Sequence, residues 1–214
     1  MLFTKVDEIR KEMEKFDWLI DEETARLLIL EKKNMMHNKK IAELIEGSAT
    51  IYAKILSIGK KRNRFINIVI GDESGICILR LWKKIFWLKE GDVIKIANGW
   101  VKNGYYGKEI NIGRYGNIEK INKEIKVKIN FGMNGKIFNL NGKLIKKFPT
   151  KIYFYEKGEK FVRKVLLNEI EIYLYDEKAK EIEKFEEGSS LSFLFLHSKY
   201  GKIYATDFSK IIKR

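Results

Sequence analysis

The chain has 214 residues, 45% of them hydrophobic and 13% aromatic, enough apolar side chain for a real core and too much for a disordered polymer. Lysine and arginine number 43 against 29 acids, giving a net charge of +14 and a pI near 9.6. No apolar run reaches transmembrane length, the start lacks a signal-peptide core, and the lone Cys77 excludes an internal disulfide and a cysteine-built zinc cluster, so an intracellular chain without membrane partners is expected.

The positive charge is uneven: residues 1–46 carry −2, residues 47–124 carry +8 and residues 125–214 carry +8. A basic body beside a near-neutral arm points to a polyanion. A lysine-rich solvated surface, as in heat-adapted proteins, accounts for the same excess.

Residues 5–46 read as helical. Val6, Ile9, Met13 and Phe16 recur at three- and four-residue spacing and make one apolar stripe. Asp21 is placed to cap a second helix that opens with Glu22 and Glu23 and holds Ala25, Leu27, Leu28, Ile29 and Leu30. A third short helix over about 39–46 ends at Gly47. The expected role of this region, 1–47, is packing or protein interaction.

From Ser48 the period changes to two. Strands are predicted at "ATIYAKILSIG", "RFINIVIG", "ICILRLW", "DVIKIANGWVK" and "KEINIGRY", with a hairpin turn at "GDESG" and a short helical stretch at "KKIFWLKEG". Five strands with a short helix between the third and fourth is the layout of an OB-fold, a small Greek-key barrel; a small sandwich or an SH3-like barrel competes. The rest repeats the plan: "FNLNGKLIKKF", "KIYFY", "KFVRKVLL", "IEIYLYD", the helical "EKAKEIEKFEEG", "SLSFLFLH" and "KIYATDF". "LKEG" at 88–91 matches "FEEG" at 185–188, and "YGK" recurs at 106–108 and 200–202. The expected architecture is mainly β, with a helical N-terminal arm, a first five-stranded OB-fold over 48–124 and a second, divergent one over 125–214.

Candidate binding residues follow from strand faces. In the third strand Cys77, Leu79 and Leu81 share the core face, which leaves Ile78, Arg80 and Trp82 outside. Tyr105 and Tyr106 sit in the loop before the fifth strand, which overhangs the binding face of an OB barrel. Rings on sheet and loop make platforms for unstacked bases, each worth about 1–3 kcal/mol. The proposed rings are Trp82, Tyr106, Tyr105 and Phe65, with Tyr175 and Tyr200 in the second unit. Polar and phosphate contacts are assigned to Lys60, Lys61, Arg62, Arg64, Asn67, Arg80, Lys102, Lys108 and Arg114, and in the second unit to Lys147, Lys151, Arg163, Lys199 and Lys202. Trp82 capping the barrel, and the tyrosines as ordinary loop aromatics, are the bland alternatives. Trp87 reads as a barrel plug, Trp100 as packing and Cys77 as a buried thiol. The isolated His37 and His197, and the absence of nucleophile or metal motifs, argue against an enzyme and against a metal or cofactor.

On "VIGDESG", "ILRLW", "LKEGDVIKI" and "YYGKEINIGR", residues 48–118 resemble an OB-fold of the archaeal replication protein A family. "LIDEETARLLILEK" at 19–32 is similar to the helical region preceding these folds. In the second unit "YDEKA" and "KFPTKIY" fit the family, whereas "NE" replaces the acidic turn and Tyr175 the usual tryptophan. The resemblance implies that Trp82 and Tyr106 stack on bases, and that the chain binds single-stranded DNA without much regard to sequence in replication, repair or recombination. Other subunits of such complexes, or replication and repair proteins, are expected partners through the helices or the second barrel. An RNA or tRNA binder on the same scaffold, and a structural subunit whose barrels bind proteins, are the rival readings.

Overall fold

The computed structural model describes residues 3–32, 39–61, 64–82, 87–113, 116–133, 135–156 and 158–214; of residues 3–6, 27, 28 and 30–32 it describes the backbone. The chain divides into two compact units, residues 1–38 and 39–214. No helix among the described residues is long and apolar enough to cross a membrane.

The first unit holds α1 (Phe3–Glu14) and α2 (Glu22–Lys32). Ile9 and Ala25 are buried, Met13 is half-buried and Phe16 is exposed, so the predicted stripe is real in its middle and solvated at its end. Val6 and the side chains of Leu27, Leu28 and Leu30 lie outside the description. Asp21 caps α2 as its position suggested: its carboxylate accepts the Thr24 N–H at 2.8 Å. That bond also holds the carboxyl below its ordinary pKa.

The second unit opens with a single 3-10 turn, Ile41–Glu43, where an α-helix was expected. Ile41 and Leu44 pack into the core of the first barrel. The buried Asp72 explains the anchoring. One carboxylate oxygen accepts Ile41 N–H at 2.8 Å; the other accepts Ser74 N–H and Gly75 N–H, closing the 72–75 hairpin turn.

The first barrel is built from β1 (Gly47–Ile58), β2 (Ile66–Gly71), β3 (Ile76–Leu81), β4 (Val93–Gly104) and β5 (Gly107–Ile112). The ring runs β1-β2-β3-β5-β4 and closes β4 onto β1, with β3 and β5 parallel and the other pairs antiparallel. This is the OB-fold ring. Alternation places Ala49, Ile51, Ala53 and Ile55 of β1 and Cys77, Leu79 and Leu81 of β3 in one core. Burial pushes the Cys77 thiol far above its ordinary pKa, so it is the inert thiol anticipated. Leu88 joins that core, whereas Trp87 and Trp100 are exposed; neither is the packing residue expected of it. A further strand, β6 (Asn117–Lys120), was not foreseen and extends β4.

The second barrel repeats the ring. It uses β7 (Ile137–Lys147), β9 (Gly158–Leu167), β10 (Ile170–Tyr175), β11 (Ser190–Lys199) and β12 (Lys202–Ala205), with α3 (Glu177–Glu181) between β10 and β11. β7 pairs β9 and β11, β9 pairs β10, β12 pairs β11, and β10 and β12 run parallel, as β3 and β5 do. β8 (Lys151–Tyr155) forms a hairpin with β9 outside the ring, and β13 (Lys210–Lys213) edges β11. β7 ends at Lys147, two residues before Pro149.

A third apolar cluster joins the barrels. Val69, Ile78 and Tyr106 of the first meet Ile137, Leu194, Phe195 and Phe208 of the second. Val69 and Ile78 are on the outer face of β2 and β3, so half of the first barrel's expected binding face is covered. The second barrel supplies its side of the seam through a β-bulge. Phe195 has φ +60°, strained for a bulky residue, where the β11–β7 register shifts between Phe193 and Leu196. Asn139 Oδ1 accepts its N–H at 2.9 Å and Ser209 Oγ donates to its carbonyl at 2.8 Å. These bonds hold the bulge, which turns Phe195 out of its own barrel. Phe208→Ala should lower unfolding free energy by about 3–5 kcal/mol in urea denaturation, because Phe208 is fully buried in this seam.

Candidate functional site

Beside the seam the two barrels enclose a groove of about 840 Å³. The first barrel lines it with Lys60, Lys61, Phe65, Asn67, Arg80, Tyr105 and Tyr106. The second lines it with residues of β9 to β12 and their connections, including Lys160, Tyr175, Glu177, His197, Lys199, Tyr200 and Tyr204. Ten of the residues proposed from sequence converge here: Phe65, Tyr105, Tyr106, Tyr175, Tyr200, Lys60, Lys61, Asn67, Arg80 and Lys199.

The rings form a connected series. Tyr105 and Tyr106 fill the two-residue turn between β4 and β5, edge to face at 4.8 Å. Both meet His197 of β11, at 5.5 and 5.2 Å. His197 stacks on Tyr204 at 5.3 Å, and Tyr204 stacks on Tyr175 at 5.7 Å. Lysines sit over several faces: Lys199 over Tyr105 at 4.7 Å and over Tyr200 at 4.9 Å, and Lys160 over Tyr175 at 4.4 Å. Burial, and then the neighbouring Tyr204, raise the Tyr175 phenol above its usual pKa, so it stays a neutral ring. Sequence reasoning named neither Tyr204 nor His197 as a site residue. Tyr204 alternates with the inward Ile203 and Ala205, a signal that was readable. His197 lies beyond the bulge, where alternation loses its phase.

Tyr106 is not the exposed platform expected. It is 8% exposed, whereas its neighbour Tyr105 is 48% exposed. Tyr106 is wedged between His197 and Phe208, the latter edge-on at 5.1 Å, so it serves the seam as well as the groove. The turn itself is fixed from below. Tyr106 N–H donates to Glu109 Oε1 at 3.2 Å, and Gly104 lies so close to that carboxylate that a Cβ would fall about 2.1 Å from Glu109 Cδ. Trp82 is 51% exposed, as a platform requires, but does not line the groove; it meets Phe65 edge-on at 5.4 Å.

The cations divide into two kinds. Arg80 is committed: its Nη1 is 3.0 Å from the fully buried Glu109, its Nε donates to Asn67 Oδ1 at 3.1 Å, and its guanidinium covers Phe65 at 4.7 Å. It organises the groove wall rather than waiting for a phosphate. Lys108 donates to the Ala42 carbonyl at 2.9 Å, away from the groove. Lys147 and Arg163 are also structural. Both pair with Glu183 after α3, and they donate to the carbonyls of Phe185 and Phe148. Arg64, Lys102, Lys151 and Lys202 lie outside the groove lining, Lys202 over Tyr173 at 5.3 Å. Arg62 and Arg114 fall outside the described residues.

No protein-family model and no curated protein sequence matches the chain. Among solved structures it is similar to a replication protein A heterotrimer bound to ssDNA, with a TM-score of 0.48 and 15% identity over 82% of this chain and 51% of that one. A murine DNA-binding protein bound with double-stranded DNA aligns with a TM-score of 0.46 and 15% identity, over 77% of this chain and 96% of that one. The OB domain of a Thermoplasma acidophilum protein aligns with a TM-score of 0.37 and 21% identity, over 42% and 92%. The chain thus spans about half the length of the replication protein A chain. The likeness is one of fold.

Two substitutions separate wedge from platform. Tyr106→Ala should cost roughly 3–5 kcal/mol of stability, and Trp82→Ala about 1 kcal/mol or less, both read from urea unfolding. Acid should dissolve the clamp on α3. Arg163 first, and then Lys147, hold the Glu183 carboxyl below its ordinary pKa. Its contribution is therefore present above the ordinary carboxylate range and lost as pH falls through the lowered value. Glu183→Gln should lower the melting temperature at about pH 7 and leave it unchanged at about pH 2.

Proposed function

We propose that this chain binds single-stranded DNA in the groove between its two barrels, largely without sequence preference, and that its cellular work is the protection of exposed strands in replication, repair or recombination. One observation carries the reading: a solvent-open groove lined from end to end by rings with lysines over their faces. Rings offer stacking surface to any base, and ammonium groups follow phosphates. Rings on both walls suit bases that are splayed out, which a duplex keeps stacked inside. Tyr105, Tyr200, Tyr204 and Tyr175 are the assigned base platforms, with Phe65 and Trp82 at the first barrel's side. Lys61, Lys160 and Lys199 are the assigned phosphate contacts. The chain acts by binding, and no catalytic role is assigned to His197, which is one member of the ring series.

A second reading is favoured by one feature. Every residue of β8 is exposed, among them Ile152, Tyr153, Phe154 and Tyr155, on the outer strand of its sheet. An apolar edge of this kind suits a protein partner, such as another subunit of a replication protein A-like complex. Native mass measurement of the purified chain with and without such a subunit tests it; a monomer that captures nothing sinks it.

Fluorescence titration with dT oligomers of several lengths tests the main reading. Affinity should fall with salt at a log–log slope near −0.7 per phosphate contacted. Tyr204→Ala and Tyr175→Ala should each cost about 1–3 kcal/mol of binding, whatever the base. A matched RNA competing as well as dT would move the assignment from DNA to RNA. Absence of binding at low salt would end the nucleic-acid reading.

A further inference from the structure

We propose that the turn at Gly59–Lys61 is a phosphate subsite of the groove and that, in the free protein, the carboxylate of Glu177 occupies it. The proposal rests on the nucleic-acid reading above and assigns one subsite and one internal competitor within it. Lys60 Nζ pairs with the Glu177 carboxylate, which stands 117 residues away in sequence. Lys60 belongs to the β1–β2 connection of the first barrel and Glu177 begins α3 of the second, and both line the groove. The pair therefore bridges the two walls.

The turn is built to aim Lys60. Its own N–H donates to Asp207 Oδ2 at 2.8 Å, and Gly59 N–H donates to the Asn67 carbonyl at 2.9 Å. Gly59 admits no side chain, since a Cβ would lie 2.8 Å from Asn67 O and from Asp207 Oδ2. The side chains of the pair remain 64% and 60% exposed, so either partner can be exchanged from solvent. A carboxylate and a phosphodiester present the same feature to an ammonium, anionic oxygens that accept charge-assisted hydrogen bonds. The position of the Glu177 carboxylate thus marks where an anion sits in this groove. Lys61, exposed on the same turn and also in the lining, adds a second positive charge to that position. When a strand enters, its phosphate takes Lys60 and Glu177 returns to water. No bond is made or broken beyond the ion pairs. The exchange loosens one link between the barrels while the apolar seam keeps them together.

The test is a salt series of dT titrations on the full chain. Four proteins are compared with wild type: Glu177→Gln, Lys60→Gln, the double variant, and Glu119→Gln on β6, which makes the same charge change outside the groove lining. Glu177→Gln should tighten binding roughly two- to fivefold, the scale of an exposed ion pair. Its salt slope should steepen by about 0.7, one additional phosphate neutralised. The gain should vanish in the double variant, and Glu119→Gln should show none of comparable size. An unchanged slope for Glu177→Gln, a gain that survives without Lys60, or an equal gain from Glu119→Gln overturns the proposal. A wild type that fails to bind dT overturns the nucleic-acid reading itself. That result is distinct from a wild type that binds and a Glu177 variant that behaves like it.

Discussion

The apolar seam between the barrels is the contact on which the other features of the second unit depend. Two small barrels joined by a linker would ordinarily move independently, because their own cores leave nothing unsatisfied between them. Here the outer face of β2 and β3 presents Val69 and Ile78, and the bulged β11 answers with Leu194 and Phe195. The linker adds to this: Asn139 accepts from Phe195 N–H and donates to the Asn130 carbonyl at 2.8 Å, tying the bulge to the chain that enters the second barrel. Polar links at the margins, such as Lys210 to Glu90 at 2.6 Å, complement a contact whose strength is burial.

Burial at the seam decides what the groove can be. By covering Val69 and Ile78 it shortens the surface available on the first barrel. In exchange it brings the rings of β10 to β12 within stacking distance of the turn at Tyr105 and Tyr106. The result is one composite surface in place of two separate ones. A surface held in its working geometry before the ligand arrives loses less freedom on binding, which favours affinity at modest contact area. The strained φ of Phe195 belongs to the same arrangement, since a regular strand would direct that ring into its own barrel.

Electrostatics follow the same division. Basic residues deep in the structure are consumed by it: Arg80 by Glu109, and Arg163 and Lys147 by Glu183. A buried carboxylate such as Glu109 requires its cation, so Arg80 is unavailable to a ligand. The lysines that remain at the groove are the exposed ones on turns and strand ends. The +14 of the chain is therefore an upper limit on attraction, and the phosphates contacted will be far fewer than the basic residues.

Local rules accounted for much of the fold. Alternation alone separated Cys77, Leu79 and Leu81 from Ile78, Arg80 and Trp82, because successive side chains of a strand must point to opposite faces. Asp21 as a cap, the acidic hairpin turn at Asp72, the end of β7 before Pro149 and the repetition of one strand plan in both halves were legible for similar reasons. Each depends on residues a few positions apart. Tertiary structure decided the rest. Tyr105 and Tyr106 are chemically identical neighbours, yet one is a solvent-facing ring and the other a buried wedge, because a barrel encoded some ninety residues later docks against only one of them. His197 entered the ring series through a bulge that breaks the alternation by which strands are read. Which lysines are spent on ion pairs depended on acids as distant as Glu177 from Lys60. Chain geometry sets a side chain's direction locally, whereas its burial and its partner are set by whatever surface the finished fold brings against it.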